Sequence, residues 1–310
     1  MHEKNISKSG TVIVRLAGGL GNNLFQYAAG KYLSDRLKLP LTLETSFLSK
    51  NVKDFEILLS LNSSEIANKS NSAKLISSIL RINLIERIFF KLGRSSRVAQ
   101  ELFYRIFKIY FSNEFGYDYR LDKIKNSVTI MGYFQSWRYA KCLIDSQELN
   151  SLLLNRSSWY NQTKAKIQLV NPIVIHIRRG DYTNVAETFG LLSYNYYNKA
   201  LKALPIEFRD REIWVFSDEI EKAKYLFSEN KGHKFHFVDS PKNVSAFEVI
   251  NLMSFGEVHI IANSSFSYWA AILSKNSKLV IAPTKWFKCL PDPIELLPKD
   301  WVRVASDWET

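Results

Sequence analysis

Apolar positions along this chain form two kinds of pattern, short β-branched runs and longer stretches with helical spacing. The first part of the chain predicts a buried strand over residues 11–16 (TVIVRL), a helix over 24–37 and a second strand over 41–44. A strand, a glycine-containing turn, a helix and a strand in this order form a βαβ unit. The apolar run at 128–132 adds another strand, so we expect a parallel sheet in this part of the chain.

A second alternation of strands and helices begins at Pro172. Strands alternate with helical stretches along it, which predicts a parallel sheet with helices on both faces. The strands are expected at 172–179, 212–217, 234–238, 257–262 and 278–282, and the helices at 193–204, 219–227, 246–253 and 267–273. A helix over 159–170 joins the two halves. We place the boundary at 160, which gives domains over residues 1–160 and 161–310.

The stretch from about residue 60 to 111 differs from both halves, because it is basic and amphipathic. Residues 74–111 contain eight Lys/Arg and two Glu, and therefore supply +6 of the net charge of +12. We interpret it as an insertion of two helices that divide near Gly93. Either its apolar stripe packs on the first domain with the charges in water, or it contacts an anionic membrane surface through Arg81, Arg87, Lys91, Arg94, Arg97, Arg105 and Lys108.

Composition narrows the class of protein. With 310 residues, 46% of them hydrophobic and 23% charged, the chain is globular and long enough for two domains. The charge of +12 is compatible with nucleic acid, an anionic membrane or a phosphorylated ligand as partner. The two cysteines have no zinc-like spacing, and neither a secretory signal nor a transmembrane run is visible. We therefore expect a cytoplasmic protein, at most peripheral at the inner face of the membrane.

The glycine-rich turn AGGLGNN at 17–23 lies between a predicted strand and a predicted helix. Backbone N–H groups in such a turn, with Gly21 and Asn22 at its end, can approach an anion at the helix N-terminus. The pattern is only part of a dinucleotide fingerprint, because Leu24 stands at the third glycine; Glu44 imitates the ribose-binding acid. A tight turn without any ligand is the alternative.

A second motif, HIRRGDY at 176–182, lies where a strand reaches its carboxyl end. Because side chains alternate along a strand, His176 and Arg178 share one face. An imidazole beside a guanidinium forms an anion clamp, in which arginine can grip a phosphate with two hydrogen bonds. The alternative is an ion pair in which Arg178 or Arg179 neutralises Asp181.

Two further groups of polar residues follow predicted strands. In NSSFS at 263–267, Ser264 and Ser265 suit a phosphate at a helix start, and Phe266 can cover a nucleoside. The alternative for these serines is simple helix capping. Asp218 in SDE at 217–219 is either part of a helix cap or a carboxylate for nucleotide hydroxyls and amines.

Taken together, these motifs resemble glycosyltransferase family 11, the α-1,2-fucosyltransferases. AGGLGNNLFQYAAG, GYFQSWRYA, HIRRGDY and NSSFSYWAAIL are similar to its sequence blocks, in the same order, over residues 17–273. Asn23, Leu24 and Tyr268 depart from the usual Gln, Met and Trp.

The resemblance implies an α/β fold of the GT-B type, with two Rossmann-like domains that face each other across a cleft. It also implies that the carboxyl-terminal domain binds GDP-fucose, with Arg178 on the β-phosphate and His176 beside it. Ser264, Ser265 and Phe266 would bind the diphosphate and nucleoside, and Asp218 is a weaker candidate for the nucleoside. Gly21 and Asn22 would close the cleft from the other domain.

The implied reaction is inverting transfer of L-fucose from GDP-β-L-fucose to a galactoside hydroxyl, with a galactose-terminated and lipid-linked surface glycan as acceptor. Arg178 would stabilise the charge that grows on the departing phosphate, so no metal and no further cofactor is expected, and no nucleic acid partner. Asp181, His176 and Glu44 remain open as the general base.

Three other interpretations have some support in the residues. A nicotinamide-dependent oxidoreductase would explain GGLGNN and Glu44 but neither HIRRGDY nor NSSFS. A nonenzymatic RNA- or membrane-binding protein would explain only the basic stretch. A GDP-fucose-dependent transferase that forms another linkage would share all the motifs.

Overall fold

The structure is a computed structural model, which describes residues 10–45, 97–146, 149, 156–230 and 232–309. The chain forms two compact units. Unit one comprises Met1–Leu152 with Ile294–Leu296, and unit two comprises Leu153–Pro293 with Leu297–Thr310. The units therefore divide several residues before the predicted boundary at 160. The sequence gives no sign that residues 294–296 belong with the first unit.

Unit one contains a sheet of four parallel strands in the order β2-β1-β4-β3. Its described elements are β1 (Val12–Arg15), α1 (Leu20–Leu37), β2 (Leu41–Glu44), α2 (Arg97–Phe107), β3 (Ile109–Phe111), a 3-10 turn (Leu121–Lys123), β4 (Val128–Met131) and α3 (Trp137–Asp145). Because β2 and β4 flank β1 on opposite sides, the direction of winding reverses between β1 and β4. Ligands commonly bind at the carboxyl ends of strands at such a reversal.

Helix α1 packs very closely on the sheet, and Gly30 makes this possible. A Cβ atom at Gly30 would lie 2.1 Å from Val14 Cγ2 and 2.9 Å from Leu41 Cδ1. The helix begins at Leu20, well before the predicted start at residue 24. Gly21 is therefore in the first helical turn and not in the preceding loop.

The prediction of the second basic helix is wrong at its carboxyl end. Helix α2 stops at Phe107, Lys108 adopts a left-handed φ of 56°, and β3 then pairs with β4. The β-branched and aromatic residues of β3 pack better in a sheet than in a helix. The rest of the basic insertion, including the division near Gly93, lies outside the described residues, so membrane contact stays a prediction. Across the described ranges, no helix is long and apolar enough to cross a membrane.

Unit two contains six parallel strands in the order β10-β9-β8-β5-β6-β7. Its described elements are α4 (Ser158–Val170), β5 (Ile173–Ile177), α5 (Ala186–Phe189), α6 (Tyr194–Lys202), β6 (Ile213–Ser217), α7 (Ile220–Leu226), β7 (Phe235–Val238), α8 (Ala246–Met253), β8 (Val258–Ile260), α9 (Ser265–Leu273), β9 (Leu279–Pro283) and β10 (Val302–Val304), with 3-10 turns at Gly180–Val185 and Ile206–Phe208. The predicted α/β class with two Rossmann-like parallel-sheet domains is confirmed.

The strand order of unit two fixes where a ligand can bind. From β5 the chain winds outward through β6 to β7, and then crosses back to β8 on the other side of β5. The carboxyl ends of β5 and β8 therefore flank a topological reversal, where a crevice forms between diverging loops. Buried aliphatic side chains of the central strands and Tyr196 and Tyr197 of α6 form the core beneath this edge.

Candidate functional site

Four residues named from the sequence meet where the carboxyl ends of β5 and β6 approach the start of α9. His176 and Phe266 stack with ring centroids 5.5 Å apart and an interplanar angle of 29°. Arg178 and Asp218 lie beside them and share a cavity of about 190 Å³, which is lined by His176, Arg178, Phe216, Ser217, Asp218, Ser240, Ala246, Val249 and Phe266. The cavity therefore combines a cation, a carboxylate and aromatic faces.

Arg178 lies between two carboxylates. Its Nη1 is 2.8 Å from Asp218 Oδ2, and its Nη2 donates to Asp181 Oδ1. The guanidinium also lies over the ring of Tyr182, at 5.3 Å from its centroid. The side chain of Asp181 is 72% exposed, whereas that of Asp218 is 25% exposed. An anion entering the cavity would therefore displace Asp181 more easily than Asp218.

Asp218 holds the turn that carries Arg178. Its Oδ1 accepts a hydrogen bond from the backbone N–H of Arg179 at 2.9 Å, while Oδ2 faces Arg178. In the turn after β6, the hydroxyl of Ser217 accepts from the Glu219 N–H at 3.1 Å, and the N-cap of α7, Glu219, makes no side-chain capping hydrogen bond. The carboxylate of Asp218 therefore orients the loop rather than capping the helix.

Arg179 points away from the cavity and is buried. Its guanidinium donates to the Leu192 carbonyl at 3.2 Å and to Glu309 Oε1 at 2.6 Å. The ion pair with Asp181 that the sequence allows for either arginine is therefore made by Arg178 alone. Sequence reasoning missed Glu309, since no motif surrounds it.

His176 is almost completely buried, and its Nδ1 has no hydrogen-bond partner among the described residues. Burial, together with the charge of Arg178, lowers the pKa of His176 to about 3. The imidazole is therefore neutral at pH 7 and a poor candidate for a general base there.

The start of α9 combines capping with loop bracing. The hydroxyl of Ser264 accepts from the Phe266 N–H at 3.3 Å, as the capping interpretation predicts. The amide of Asn263 donates to the carbonyls of Phe189, Gly190 and Trp286. Ser265 is the first residue of the helix. Tyr182 donates to the Asn263 carbonyl at 3.2 Å, which joins the loops after β5 and β8.

In unit one, side-chain amides brace the loops at the reversal between β1 and β4. Asn22 Oδ1 accepts from Gln135 Nε2 at 2.8 Å. Gln26 Oε1 accepts from the Ala17 N–H at 3.0 Å and from Asn23 Nδ2 at 3.2 Å, and Gln26 Nε2 donates to the Gly132 carbonyl at 3.0 Å. Asn23, which stands where the resemblance in the sequence has Gln, is thus buried and hydrogen-bonded within this loop. Sequence reasoning also missed Gln135, although GYFQS contains it.

Glu44 is engaged by a buried arginine. Arg15 Nε donates to Glu44 Oε2 at 2.8 Å and Arg15 Nη2 to Oε1 at 3.2 Å. This bidentate pair orients the carboxylate and engages both of its oxygens, so Glu44 is a poor candidate for a general base. Within the described ranges, no cluster of three or more His, Cys, Asp or Glu side chains could hold a metal ion. The metal-free expectation stays a prediction.

Two buried neutral histidines should make the protein sensitive to acid. Burial lowers the pKa of His176 to about 3 and that of His259 to about 4, whereas the unfolded value is near 6.5. The folded state therefore resists protonation, and stability that is complete above pH 6.5 falls as the pH drops toward the folded values. For two groups the loss between pH 7 and pH 5 is roughly 4 kcal/mol in the free energy of unfolding.

Urea unfolding at both pH values checks this expectation. His259→Asn removes one of the two titrations away from the cavity, so it should halve the difference between pH 7 and pH 5. An unfolding free energy that is equal at both pH values would contradict the buried neutral state.

Known proteins are similar to this chain in sequence or in fold. Residues 11–302 match the model of Glycosyl transferase family 11. The chain is 32% identical over 310 residues to an alpha-1,2-colitosyltransferase of Escherichia coli, with 95% of this chain and 99% of that protein covered. It is 33% identical over 298 residues to the Escherichia coli O-antigen biosynthesis glycosyltransferase WbnK, with 88% and 93% covered.

Among solved structures, the fold is similar to that of the Bradyrhizobium fucosyltransferase NodZ. NodZ co-crystallized with GDP superposes with a TM-score of 0.51 at 16% identity, with 86% of this chain and 93% of NodZ covered. At this identity the likeness concerns the fold alone.

Proposed function

The chain belongs to glycosyl transferase family 11, and on that premise we propose that it transfers L-fucose from GDP-β-L-fucose to a galactoside hydroxyl, with inversion to an α-1,2 linkage, in the assembly of an O-antigen-type glycan. The observation that carries the proposal is the cation of Arg178 at the β5–β8 reversal, beside the His176–Phe266 stack. This arrangement suits a nucleoside diphosphate. Family membership leaves the nicotinamide-dependent alternative without support.

Arg178 supplies the charge stabilisation in this proposal. As the bond between the sugar and the β-phosphate breaks, negative charge grows on the phosphate oxygens. A guanidinium at that position binds the transition state more strongly than the ground state, which accelerates the reaction. Asp218 holds Nη1 of the guanidinium, so Nη2 can exchange Asp181 for phosphate.

Among the three candidates for the general base, Asp181 is favoured. His176 is buried and neutral with a pKa lowered to about 3 by burial, and Glu44 is held by Arg15. Asp181 is exposed and borders the same guanidinium that would hold the phosphate. Once displaced from Arg178, its carboxylate is free to accept the proton of the acceptor hydroxyl.

Product analysis tests the proposal. The purified chain is incubated with GDP-fucose and a panel of β-galactosides, and the linkage is determined by NMR. An α-1,2-fucosyl product supports the proposal, and a fucoside of another linkage restricts it to the donor. A parallel incubation with a colitosyl donor tests the second candidate, which the 32% identity to a colitosyltransferase favours. Transfer from the colitosyl donor alone would contradict the fucosyl assignment.

We expect full activity in excess EDTA. In the proposed binding mode the diphosphate lies against Arg178 and the N-terminus of α9, which would take the electrostatic role that a divalent cation plays in other transferases. The measurement compares initial rates with EDTA, with Mn²⁺ and without either addition. A loss of activity in EDTA that Mn²⁺ or Mg²⁺ restores would contradict this expectation.

A further inference from the structure

Arg178 and Arg179 lie in the turn that follows β5. Arg179, on the buried side of this turn, pairs with the carboxylate of Glu309, more than a hundred residues further along the chain. We infer that Glu309 is a positioning residue for the donor site, acting through Arg179. The inference rests on the proposed binding of a nucleoside diphosphate at Arg178. It assigns a role to Glu309, which lies outside all the motifs of the sequence.

The buried guanidinium of Arg179 requires a counter-charge. Its side chain is 5% exposed, it cannot lose its proton, and its neutral contact is the Leu192 carbonyl. Within the described residues, Glu309 is the carboxylate that forms an ion pair with it, at 2.6 Å. The Glu309 side chain is 37% exposed, so the buried partner of this pair is Arg179. Removing Glu309 leaves the buried guanidinium without a counter-charge, which is more costly than losing a pair whose two members are both exposed.

Arg179 transmits this constraint to the cavity through its main chain. Its N–H donates to Asp218 Oδ1 at 2.9 Å, and the other oxygen of that carboxylate holds Arg178. The side chain of Arg179 is thus fixed on one side of the turn and its backbone on the other. Without Glu309, the Arg179 guanidinium would turn toward water and would draw the backbone away from Asp218. Arg178 would then lose its orientation toward the cavity.

The segment that carries Glu309 is itself well anchored. The Ser193 N–H donates to the Asp307 carbonyl at 2.8 Å, and the Glu309 N–H donates to the Leu191 carbonyl at 2.8 Å. The Asp307 side chain accepts from Ser193 and from Lys199, and makes no recorded contact with Arg179. Asp307 is therefore a matched control, because it anchors the same segment through other partners.

The test compares GDP affinity, by calorimetry, in the full chain and in Glu309→Ala, Glu309→Gln and Asp307→Ala. Glu309→Ala should weaken GDP binding about ten-fold or more, because the phosphate-binding group is misplaced. Glu309→Gln keeps a hydrogen bond without the charge, so its GDP affinity should lie between those of the unaltered chain and of Glu309→Ala. Asp307→Ala should bind GDP as the unaltered chain does. Thermal unfolding shows which variants are folded. If Glu309→Ala does not fold, the comparison with the unaltered chain is made with Glu309→Gln.

A second arm separates positioning from general destabilisation. The pair Arg179→Gln with Glu309→Gln replaces the ion pair by a neutral hydrogen-bonded pair, so it should recover most of the affinity lost in Glu309→Ala. Equal weakening by Asp307→Ala and Glu309→Ala, or unchanged GDP affinity in a folded Glu309→Ala or Glu309→Gln variant, overturns the inference. An unaltered chain that does not bind GDP overturns the proposed function instead.

Discussion

Arg178→Ala should lower the turnover number by at least a hundred-fold while leaving the protein folded. Loss of one group that stabilises developing charge typically costs about a hundred-fold to a thousand-fold in rate, or about 2.7–4 kcal/mol of barrier. Arg178 is 25% exposed, so its removal leaves no large buried void. Asp181 and Asp218 would then face the cavity without their common cation, which should also repel the diphosphate.

Two variants make this result interpretable. Arg178→Lys retains the charge but not the planar fork, so it should recover little of the activity. Lys224→Ala removes one exposed cation of the same unit and should leave turnover unchanged. Initial rates at saturating donor and thermal unfolding are measured for all three. An Arg178→Ala enzyme that keeps more than about a tenth of the turnover would show that this residue is not the main charge stabiliser, since ten-fold is only about 1.4 kcal/mol.

The alternation of strands and helices in unit two is predictable from the sequence because its strands β5 to β9 are short apolar runs bounded by polar turns. Helix α8 was predicted with its observed bounds, 246–253. Strand β10 was not predicted, because two of its three residues are exposed and no apolar run marks it. The sequence predicts a helix over the residues of β3, because these residues also fit an apolar helical stripe. They form a strand because they pair with β4, a contact that local sequence does not show.

The position of the candidate cavity was predictable because motifs at strand ends are brought together by sheet order. His176 lies at the end of β5, and Arg178 directly follows that strand. Asp218 directly follows β6, and the first turn of α9, after β8, carries Phe266. Parallel pairing places the carboxyl ends of these strands on one edge of the sheet. The direction of each side chain was not predictable in the same way. The adjacent arginines diverge, one toward the cavity and one toward Glu309, because the turn between them depends on tertiary contacts.

The backbone of that turn depends on Gly180. It has a φ of +24°, which L side chains rarely adopt, and it lies directly against Asp218. A Cβ atom at this position would be 2.4 Å from Asp218 Oδ2. Asp218 has little freedom to move aside, because it is held by the Arg179 N–H and by Arg178 at the same time.

Gly180→Ala should therefore lower kcat/KM for the donor by about a hundred-fold, although it adds a single methyl group, because a small misplacement of a binding group has this effect. The methyl group would push Asp218 away from Arg178, and the backbone would relax from its present φ. Gly232→Ala is the matched control, since its Cβ would come no closer than 3.8 Å to the nearest recorded atom, Asn230 Oδ1. Donor and acceptor saturation curves distinguish the causes: the change should appear with the donor, while the KM of the acceptor stays near that of the unaltered chain. A Gly180→Ala enzyme with unaltered donor kinetics would show that the Asp218–Arg178 pair tolerates displacement, and that the guanidinium needs no such support.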